Sequence, residues 1–230
     1  MQNLPGRKAA LRQFDTTSPV TASLDIPAGH VQLIAADRAG TTVEVRPADA
    51  SKDRDVRLAE RVTVEYRDGV LRIEAPPKHQ YLGSSGAVEV TVQLPAGSRV
   101  EAKAASAEFR TVGRLGDITL DSSQASVKID EAATARLSTS DGDITVGRLG
   151  GAAEIRTARG DIEVTEAMGG TVVLRTASGS ITVGASAGVS ATLDAGTTNG
   201  RIHNALKNTG TPGLTIHATT ATGDITARSL

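Results

Sequence analysis

The sequence predicts an all-β fold: a right-handed β-solenoid, or β-helix-like stack, of about seven repeats of 17–23 residues with an N-terminal β-rich cap. Three observations predict it. A Gly-x-Ile phrase or its equivalent recurs through the second half of the chain, and an aliphatic residue precedes it by seven positions in most repeats. Alternate residues around the phrase are apolar, as in strands with one buried face.

The repeats can be aligned on the residue that closes each phrase. These anchors are Phe109, Val127, Ile144, Ile162, Ile181, Ile202 and Ile225. Each repeat contains two short strands and two turns, which allows either an antiparallel meander of hairpins or a solenoid. Equivalent positions carry like residues, for example Thr139, Thr157 and Thr176. Stacking explains this likeness because it places equivalent strands side by side, so the solenoid is favoured.

The glycine of each phrase is expected at a sharp corner between two strands. A chain that turns within two or three residues needs a left-handed backbone conformation, which glycine adopts without a Cβ clash. Replacing Gly160 with Val should therefore harm folding more than replacing the outward Glu163.

The chain divides into three predicted regions. Residues 1–17 are expected to be a flexible extension, although their basic and apolar spacing would also suit a weakly amphipathic helix on a membrane surface. Residues 18–100 form a β-rich segment that caps the solenoid, and residues 101–230 form the solenoid itself. The echo of Pro27-Ala28-Gly29 in Pro95-Ala96-Gly97 suggests that the N-terminal region begins as another turn of the same construction.

Two stretches of the cap break its alternation. The charged residues 51–61 could form a short helix or a loop, and residues 76–86 form the longest irregular stretch. Between them, Asp68-Gly69 supplies the positive φ angles of a tight hairpin turn.

The last two repeats differ from the others. Their pairs, Leu193/Ile202 and Ile216/Ile225, contain two extra residues, which predicts longer corners, and the insert 207–213 separates them. We expect the edge of the final strand to be uncovered. We expect either self-association through this C-terminal edge strand or protection of the edge by Arg228.

Composition excludes several classes of function. The 230 residues carry a formal charge of −1 with interleaved signs, which argues against nucleic acid as a partner. The absence of Cys excludes disulfides and thiolate metal sites. Neither a signal-like apolar segment nor a membrane span is visible. The expected location is the cytoplasm, with the cell surface as the alternative.

No catalytic, cofactor-binding or metal-binding residues are predicted. His203 and His217 fall on different faces of the solenoid and cannot easily share a metal. Asp143 and Asp161 could hold calcium as a stacked pair, but Arg201 interrupts their column, so they are interpreted as turn residues. Residues 83–86, Gly-Ser-Ser-Gly, do not match a nucleophile elbow.

A mixed polar surface remains as the candidate functional feature. Arg156 and Arg175 should be adjacent on it and could bind an acidic partner. The irregular stretch adds His79 and Tyr81 to the candidate interaction surface.

Several phrases together resemble a known family. They are residues 24–29 (LDIPAG), 42–47 (TVEVRP), 94–98 (LPAGS), the serial Gly-Asp-Ile corners and residues 222–226 (TGDIT). In combination they look like the bacterial putative-adhesin family, a domain of unknown function built of β-strand repeats, and most like its signal-less actinobacterial members. The resemblance covers roughly residues 14–230. It implies a β-helix-like fold and supplies no catalytic residues.

The predicted function is a non-enzymatic interaction or scaffolding module with an unknown protein partner. The alternative is an adhesin-like cell-surface protein. A polysaccharide-active β-helix enzyme is a distant third, because the outward columns mix charges instead of clustering carboxylates.

Overall fold

A computed structural model of the chain describes residues 10–76 and 86–230. These residues contain one helix and 17 strands that join into a continuous hydrogen-bonded sheet, folded back on itself at corners. The helix is α1 (Asp53–Arg61). The strands are β1 (Ala10–Phe14), β2 (Thr21–Ala36), β3 (Thr41–Pro47), β4 (Thr63–Arg67), β5 (Val70–Glu74), β6 (Val88–Pro95), β7 (Arg99–Val112), β8 (Arg114–Asp141), β9 (Ile144–Leu149), β10 (Ala153–Arg159), β11 (Ile162–Ala167), β12 (Gly170–Ser178), β13 (Ile181–Ala185), β14 (Ala191–Asn199), β15 (Ile202–Ala205), β16 (Leu214–Thr222) and β17 (Ile225–Ser229).

Successive repeats stack in parallel, as expected of a solenoid. Ile155 of β10 pairs with Leu137 on one side and Leu174 on the other, and Ile162 of β11 pairs with Ile144 and Ile181. We call each repeat a coil. The strands before the glycine corner, such as β10 and β12, form the first face, and those after it, such as β11 and β13, form the second face. The antiparallel meander is thereby excluded, whereas the handedness of the solenoid stays a prediction.

The core lies between the two faces. Outside residues 191–206, alternate residues of both faces point inward and are almost fully buried, most of them Val, Ile, Leu, Ala or Thr. Phe109 is the largest of the fully buried side chains. Small aliphatic side chains suit this narrow interior because the two faces meet at tight corners in every coil.

The stack begins before the boundary that the sequence suggested. β2 pairs in parallel with β7 from Thr21↔Arg99 to Ile34↔Val112, so residues 21–36 already form a coil. The two Pro-Ala-Gly phrases are nevertheless not equivalent, because Gly29 pairs with Ala107 whereas Gly97 lies in the turn before β7. The N-terminal region does start as another turn, but a different residue occupies its corner.

Antiparallel strands and the helix complete the N-terminal end. On the first face β5 pairs with β2 and β4 pairs antiparallel with β5; on the second face β6, β3 and β1 follow in that order. The charged stretch 51–61 contains α1, which packs near β3 and β6 and buries Val56. Its Asp55 is also buried and accepts a hydrogen bond from the Ala87 backbone N–H at 3.0 Å.

A flexible extension was predicted for residues 1–17, of which residues 1–9 lie outside the described residues, and the structure differs from that prediction over residues 10–14. Residues 10–14 form β1, Arg12 donates a hydrogen bond to the Val64 carbonyl at 2.9 Å, and the ring of Phe14 lies 5.6 Å from that of Tyr66. Pairing with β3 orders this segment because it satisfies the backbone groups of an otherwise open edge. An amphipathic helix over all of residues 1–17 is wrong for the same reason.

The order of the last coils departs from the order of the chain. β16 pairs with β12 on one side and β14 on the other, and β17 pairs likewise with β13 and β15. Residues 214–230, which we call the inner coil, therefore lie between the coil of residues 170–186 and that of residues 191–206, which we call the outer coil.

This order corrects two expectations about the C-terminal region. The strand at residues 225–229 is paired on both sides and is not an edge, so self-association through a C-terminal edge strand is wrong as stated. The exposed edge belongs to β14 and β15, and all four residues of β15 are exposed. Arg228 does not protect an edge, because its backbone pairs with Gly184 and Ala205.

The longer corners predicted for the last two coils are also wrong. Leu174 pairs with Ala218, and Ala218 pairs with Ala195, so these alanines are the true equivalents of the aliphatic residue before the corner. Each stands seven positions before its anchor, Ile225 or Ile202, as in the other coils. Leu193 and Ile216 are instead the register equivalents of Val172, one inward position earlier on strands of equal length.

Candidate interaction surface

Threonine and glycine fix the corner between the two faces. The inward threonine of each late coil donates a hydrogen bond to the carbonyl of the corner glycine in the coil before it in the stack. The pairs are Thr157–Gly142 (3.3 Å), Thr176–Gly160 (3.1 Å), Thr220–Gly179 (2.9 Å) and Thr197–Gly223 (3.0 Å). These bonds satisfy buried hydroxyl groups that would otherwise be costly to bury, and they tie each coil to its neighbour.

The corner glycines are required for two reasons. Gly160 has φ +137°, a left-handed conformation that other residues rarely adopt. A Cβ on Gly160 would also lie 2.3 Å from the carbonyl oxygen of Gly142. The predicted corner role is therefore confirmed, and close stacking of the coils adds a reason that the sequence did not show.

The outward aspartates beside these glycines bind the backbone of the next coil. Asp143 accepts a hydrogen bond from the Asp161 backbone N–H at 2.8 Å, and Asp161 accepts one from Ser180 at 2.7 Å. In the outermost pair Asp224 accepts both the backbone N–H and the guanidinium of Arg201, each at 2.9 Å. These bonds hold the pKa of Asp224 below its ordinary value, the backbone N–H being the largest cause. These carboxylates thus stabilise the corner turns, in agreement with their interpretation as turn residues.

Arg156 and Arg175 are neighbours on the first face, as predicted. They are register partners on the adjacent parallel strands β10 and β12, and both are exposed. Their surroundings differ: Arg156 contacts Glu154, which also lies 3.6 Å from Arg136. Within residues 10–76 and 86–230, Arg175 makes no hydrogen bond or ion pair.

Further along the first face, basic groups have acidic partners. Arg99 contacts Asp117 at 2.8 Å, and the hydroxyl of Thr134 donates to the same carboxylate at 2.7 Å. These contacts lower the pKa of Asp117, with the Thr134 hydrogen bond as the largest cause. The paired groups, together with Arg136 and Glu154, line a shallow cleft of about 540 Å³. Arg175 lies in a different environment because it forms no ion pair within the described residues.

The other two residues of the predicted interaction surface, His79 and Tyr81, lie outside the described residues. The structure therefore brings together only the arginine half of that surface.

The remaining histidines are separated, as expected. His203 lies on β15 of the second face and His217 on β16 of the first, where its Nδ1 is 3.2 Å from Asp194. His30 contacts Glu108 at 3.2 Å on the second face near the N-terminal end. Across the described residues, no group of three or more His, Asp or Glu side chains is arranged to hold a metal ion.

The open end of the stack lies at β14 and β15, and not at the C-terminal strand where it was predicted. Ile202 of β15 is 47% exposed, although its equivalents Ile225 and Ile181 are fully buried. Asn204 occupies the inward column that Val164, Val183 and Ala227 fill in the preceding coils. An amide in an apolar column was a signal in the sequence that this coil ends the stack.

The comparison with family models decides the family. The Toastrack DUF4097 model matches residues 23–229. The chain belongs to the Toastrack DUF4097 family. The predicted likeness to a putative-adhesin-like domain of unknown function is thereby confirmed, and the actinobacterial affiliation stays a prediction.

Solved structures resemble this Toastrack chain along its whole length. A putative adhesin from Parabacteroides distasonis ATCC 8503 is 14% identical, covers 95% of this chain and 97% of its own, and has a TM-score of 0.47. A putative adhesin from Bacteroides fragilis NCTC 9343 is 15% identical over 97% of this chain and 98% of its own, with a TM-score of 0.44. A protein from Parabacteroides distasonis ATCC 8503 described as a putative lipid binding protein is 13% identical over 96% and 97%, with a TM-score of 0.45.

No curated protein matches this Toastrack chain. Helix α1 has nine residues, and the ranges 10–76 and 86–230 contain no helix that could cross a membrane.

Proposed function

We propose that this Toastrack chain is a non-enzymatic interaction module that binds an acidic segment of a protein partner on its first face. The observation that carries the proposal is the position of Arg175. It is exposed, it lies in register beside Arg156, and it forms no ion pair with a described acidic group.

The strands hold the two arginines close together. Neighbouring strands of a sheet are about 4.7–4.9 Å apart, so the like charges of Arg156 and Arg175 face each other at short range. Glu154 reduces part of this repulsion because its carboxylate contacts Arg156, but the same carboxylate also lies near Arg136. A carboxylate from outside would relieve the rest, because a guanidinium binds carboxylates with two parallel hydrogen bonds.

The neighbours of Arg175 leave room for such a segment. Its partner on the other side is Thr219, and Ala177 follows on the same strand, both exposed and short. A partner chain can therefore lie along the face without displacing a large side chain.

Binding of a poly-glutamate peptide tests the proposal directly. We expect the unmodified chain to bind it, with an affinity that falls as salt rises, and we expect Arg175→Glu to abolish this binding. Arg110→Glu is the matched control, since Arg110 is exposed on the second face and makes the same charge change there. Equal binding by both variants would refute the role of Arg175.

A pull-down from native lysate extends the test to real partners. Proteins that bind the unmodified chain and the Arg110→Glu variant, but not the Arg156→Glu/Arg175→Glu variant, are the expected partners of this face. Unchanged capture by all three would remove the arginine pair from consideration.

The cytoplasmic location belongs to the same proposal, and fractionation of the native cells tests it. Recovery in the cell-wall fraction would replace the proposal by the adhesin-like alternative. Release of reducing ends from polysaccharides by the purified chain would overturn the non-enzymatic assignment in favour of the β-helix enzyme.

A further inference from the structure

The inner coil lies between two other coils, in a position that we call the seat. Its strand β16 pairs along eight positions with β12 and along eight with β14, and β17 pairs with β13 and β15. Within the described residues, β14 pairs only with β16 and β15 only with β17. The inner coil therefore connects the outer coil to the rest of the stack.

The outer coil carries the same corner motif as the inner coil. The motif is Thr-x-x-Gly-x-Ile, at residues 197–202 of the outer coil and 220–225 of the inner coil. Residues 176–181 of the neighbouring coil have the same motif. Thr220 bonds the Gly179 carbonyl in the observed order, and Thr197 stands at the equivalent position of the outer coil. Two coils of the chain thus fit the same seat, and the outer coil precedes the inner one in the sequence.

Burial explains why the inner coil takes the seat. Its inward residues Leu214, Ile216 and Ala227 are fully buried, whereas the equivalents in the outer coil are Ala191, Leu193 and Asn204. Burying the Asn204 amide between two coils would cost free energy unless both its polar atoms were paired. At the end of the stack the amide is exposed and accepts the Leu206 backbone N–H at 3.0 Å.

The segment between these coils is exposed and is held by hydrogen bonds, several of them to Ser190 and one to Ser229. Residues 207–213 are exposed throughout. Gly210 has φ +147° and a Cβ placed there would meet no atom within 4 Å. The segment must open for the inner coil to enter its seat after the outer coil has formed.

We infer that residues 214–230 are an exchangeable element, and that the partner they fit is a second copy of this chain. In the resulting dimer the inner coil of each copy fills the seat between the 170–186 and 191–206 coils of the other. The strand pairings of the seat are reproduced, because the same residues meet across chains, whereas residues 207–213 take another path that breaks their hydrogen bonds to Ser190. Exchange is independent of the acidic-segment binding proposed above, and each can fail without the other.

Refolding at increasing concentration gives the first test. We expect unfolded chain to return as monomer when dilute and as a dimer when concentrated. The dimer should persist after dilution, because the exchanged coils must unfold before they separate. Light scattering after gel filtration measures the mass, and a monomer at every refolding concentration would overturn the inference.

Engineered cysteines identify which segment is exchanged. Thr182 and Thr226 are register partners on β13 and β17, and the chain contains no cysteine of its own. Thr182→Cys and Thr226→Cys chains are unfolded together, refolded at high concentration and oxidised. By random pairing, about half of the dimers join the two variants, and these should become disulfide-linked.

A matched pair of variants measures accidental cross-links. Thr145→Cys and Glu163→Cys also place register partners on neighbouring strands, but both lie in coils that follow chain order. A dimer that shows no more cross-linking for the 182/226 mixture than for the 145/163 mixture would associate by another surface and would overturn the exchange.

Discussion

The inner and outer coils share a motif but have opposite environments. Ile225 and Ile202 close the same Thr-x-x-Gly-x-Ile phrase and are register partners, yet the first is fully buried and the second is 47% exposed. The inner coil is paired on both sides, and the outer coil on one. The difference teaches that the motif specifies the shape of a coil, whereas the side chains of its inward columns decide its place in the stack.

The corner glycines offer the strongest way to break this comparison. Gly223→Val should unfold the inner coil, because the residue has φ +143° and a Cβ would lie 2.0 Å from the Gly179 carbonyl oxygen. Gly210→Val is the control, since it has a similar φ but open surroundings. We expect the control to lose about 1–3 kcal/mol at most and Gly223→Val to lose clearly more. Urea denaturation measures both, and equal losses would show that close stacking contributes nothing.

Truncation of Ile225 and Ile202 compares a buried and an exposed side chain at the same position of the coil. Ile225→Ala should cost about 2–5 kcal/mol of unfolding free energy, because it leaves a cavity between two coils. Ile202→Ala should cost well under half of that, since much of its surface is already in water. Thermal and urea unfolding of both variants give the values. Similar costs would mean that the end of the stack is covered in solution.

Asn204 allows the comparison to be sharpened in the other direction. Asn204→Val makes the inward column of the outer coil apolar, as in the coils that lie within the stack. Native protein that has never been unfolded should then associate with rising concentration in sedimentation experiments, because the open end now presents an apolar edge. Ala205→Val, on the outward column, should not change the mass. A monomeric Asn204→Val protein would show that the amide does not guard this edge.

Acid should weaken the attachment of the outer coil, and this is the smallest effect. The folded pKa of Asp224 lies below its ordinary value of 3.8 because Arg201 donates to the ionised carboxylate. Its stabilising contribution is therefore complete above the ordinary value and is lost as pH falls through the lowered folded value. The amide resonance of Arg201 should report this loss by NMR. In Asp224→Asn the amide oxygen can still accept the backbone N–H, so this pH step should disappear; its persistence would assign it to another group.

Much of the fold could be predicted from residues alone. The alternation around Ile162 defined which side chains face inward, and the serial glycines marked the corners, because both depend on local backbone geometry. Arg156 and Arg175 were placed side by side for the same reason: equal repeat lengths keep equivalent residues in register. The predicted register was wrong at Leu193 and Ile216, because each of these strands contains two inward aliphatic residues that could be aligned with Leu174.

The order of the last coils could not be predicted in this way. Both the inner and the outer coil satisfy the Thr-x-x-Gly-x-Ile motif, so local patterns allow the coil of residues 191–206 to stack directly on residues 170–186. Chain order favours that choice, and only the burial of complete columns opposes it. Asn204 indicates the end of the stack only when it is known that the equivalent residues Val164, Val183 and Ala227 are buried.

For the coils from β10 onward, the sequence by itself determined the repeated unit: two short strands, a glycine corner, an inward aliphatic column and an outward polar one. These features follow from side-chain alternation and from the φ angle at Gly160. The tertiary structure alone decided that residues 214–230 lie inside the stack and residues 191–206 at its end. The physical reason for this order is the free energy gained by burying whole columns of side chains between coils. Such a column consists of residues far apart in the chain, so no single repeat reveals it.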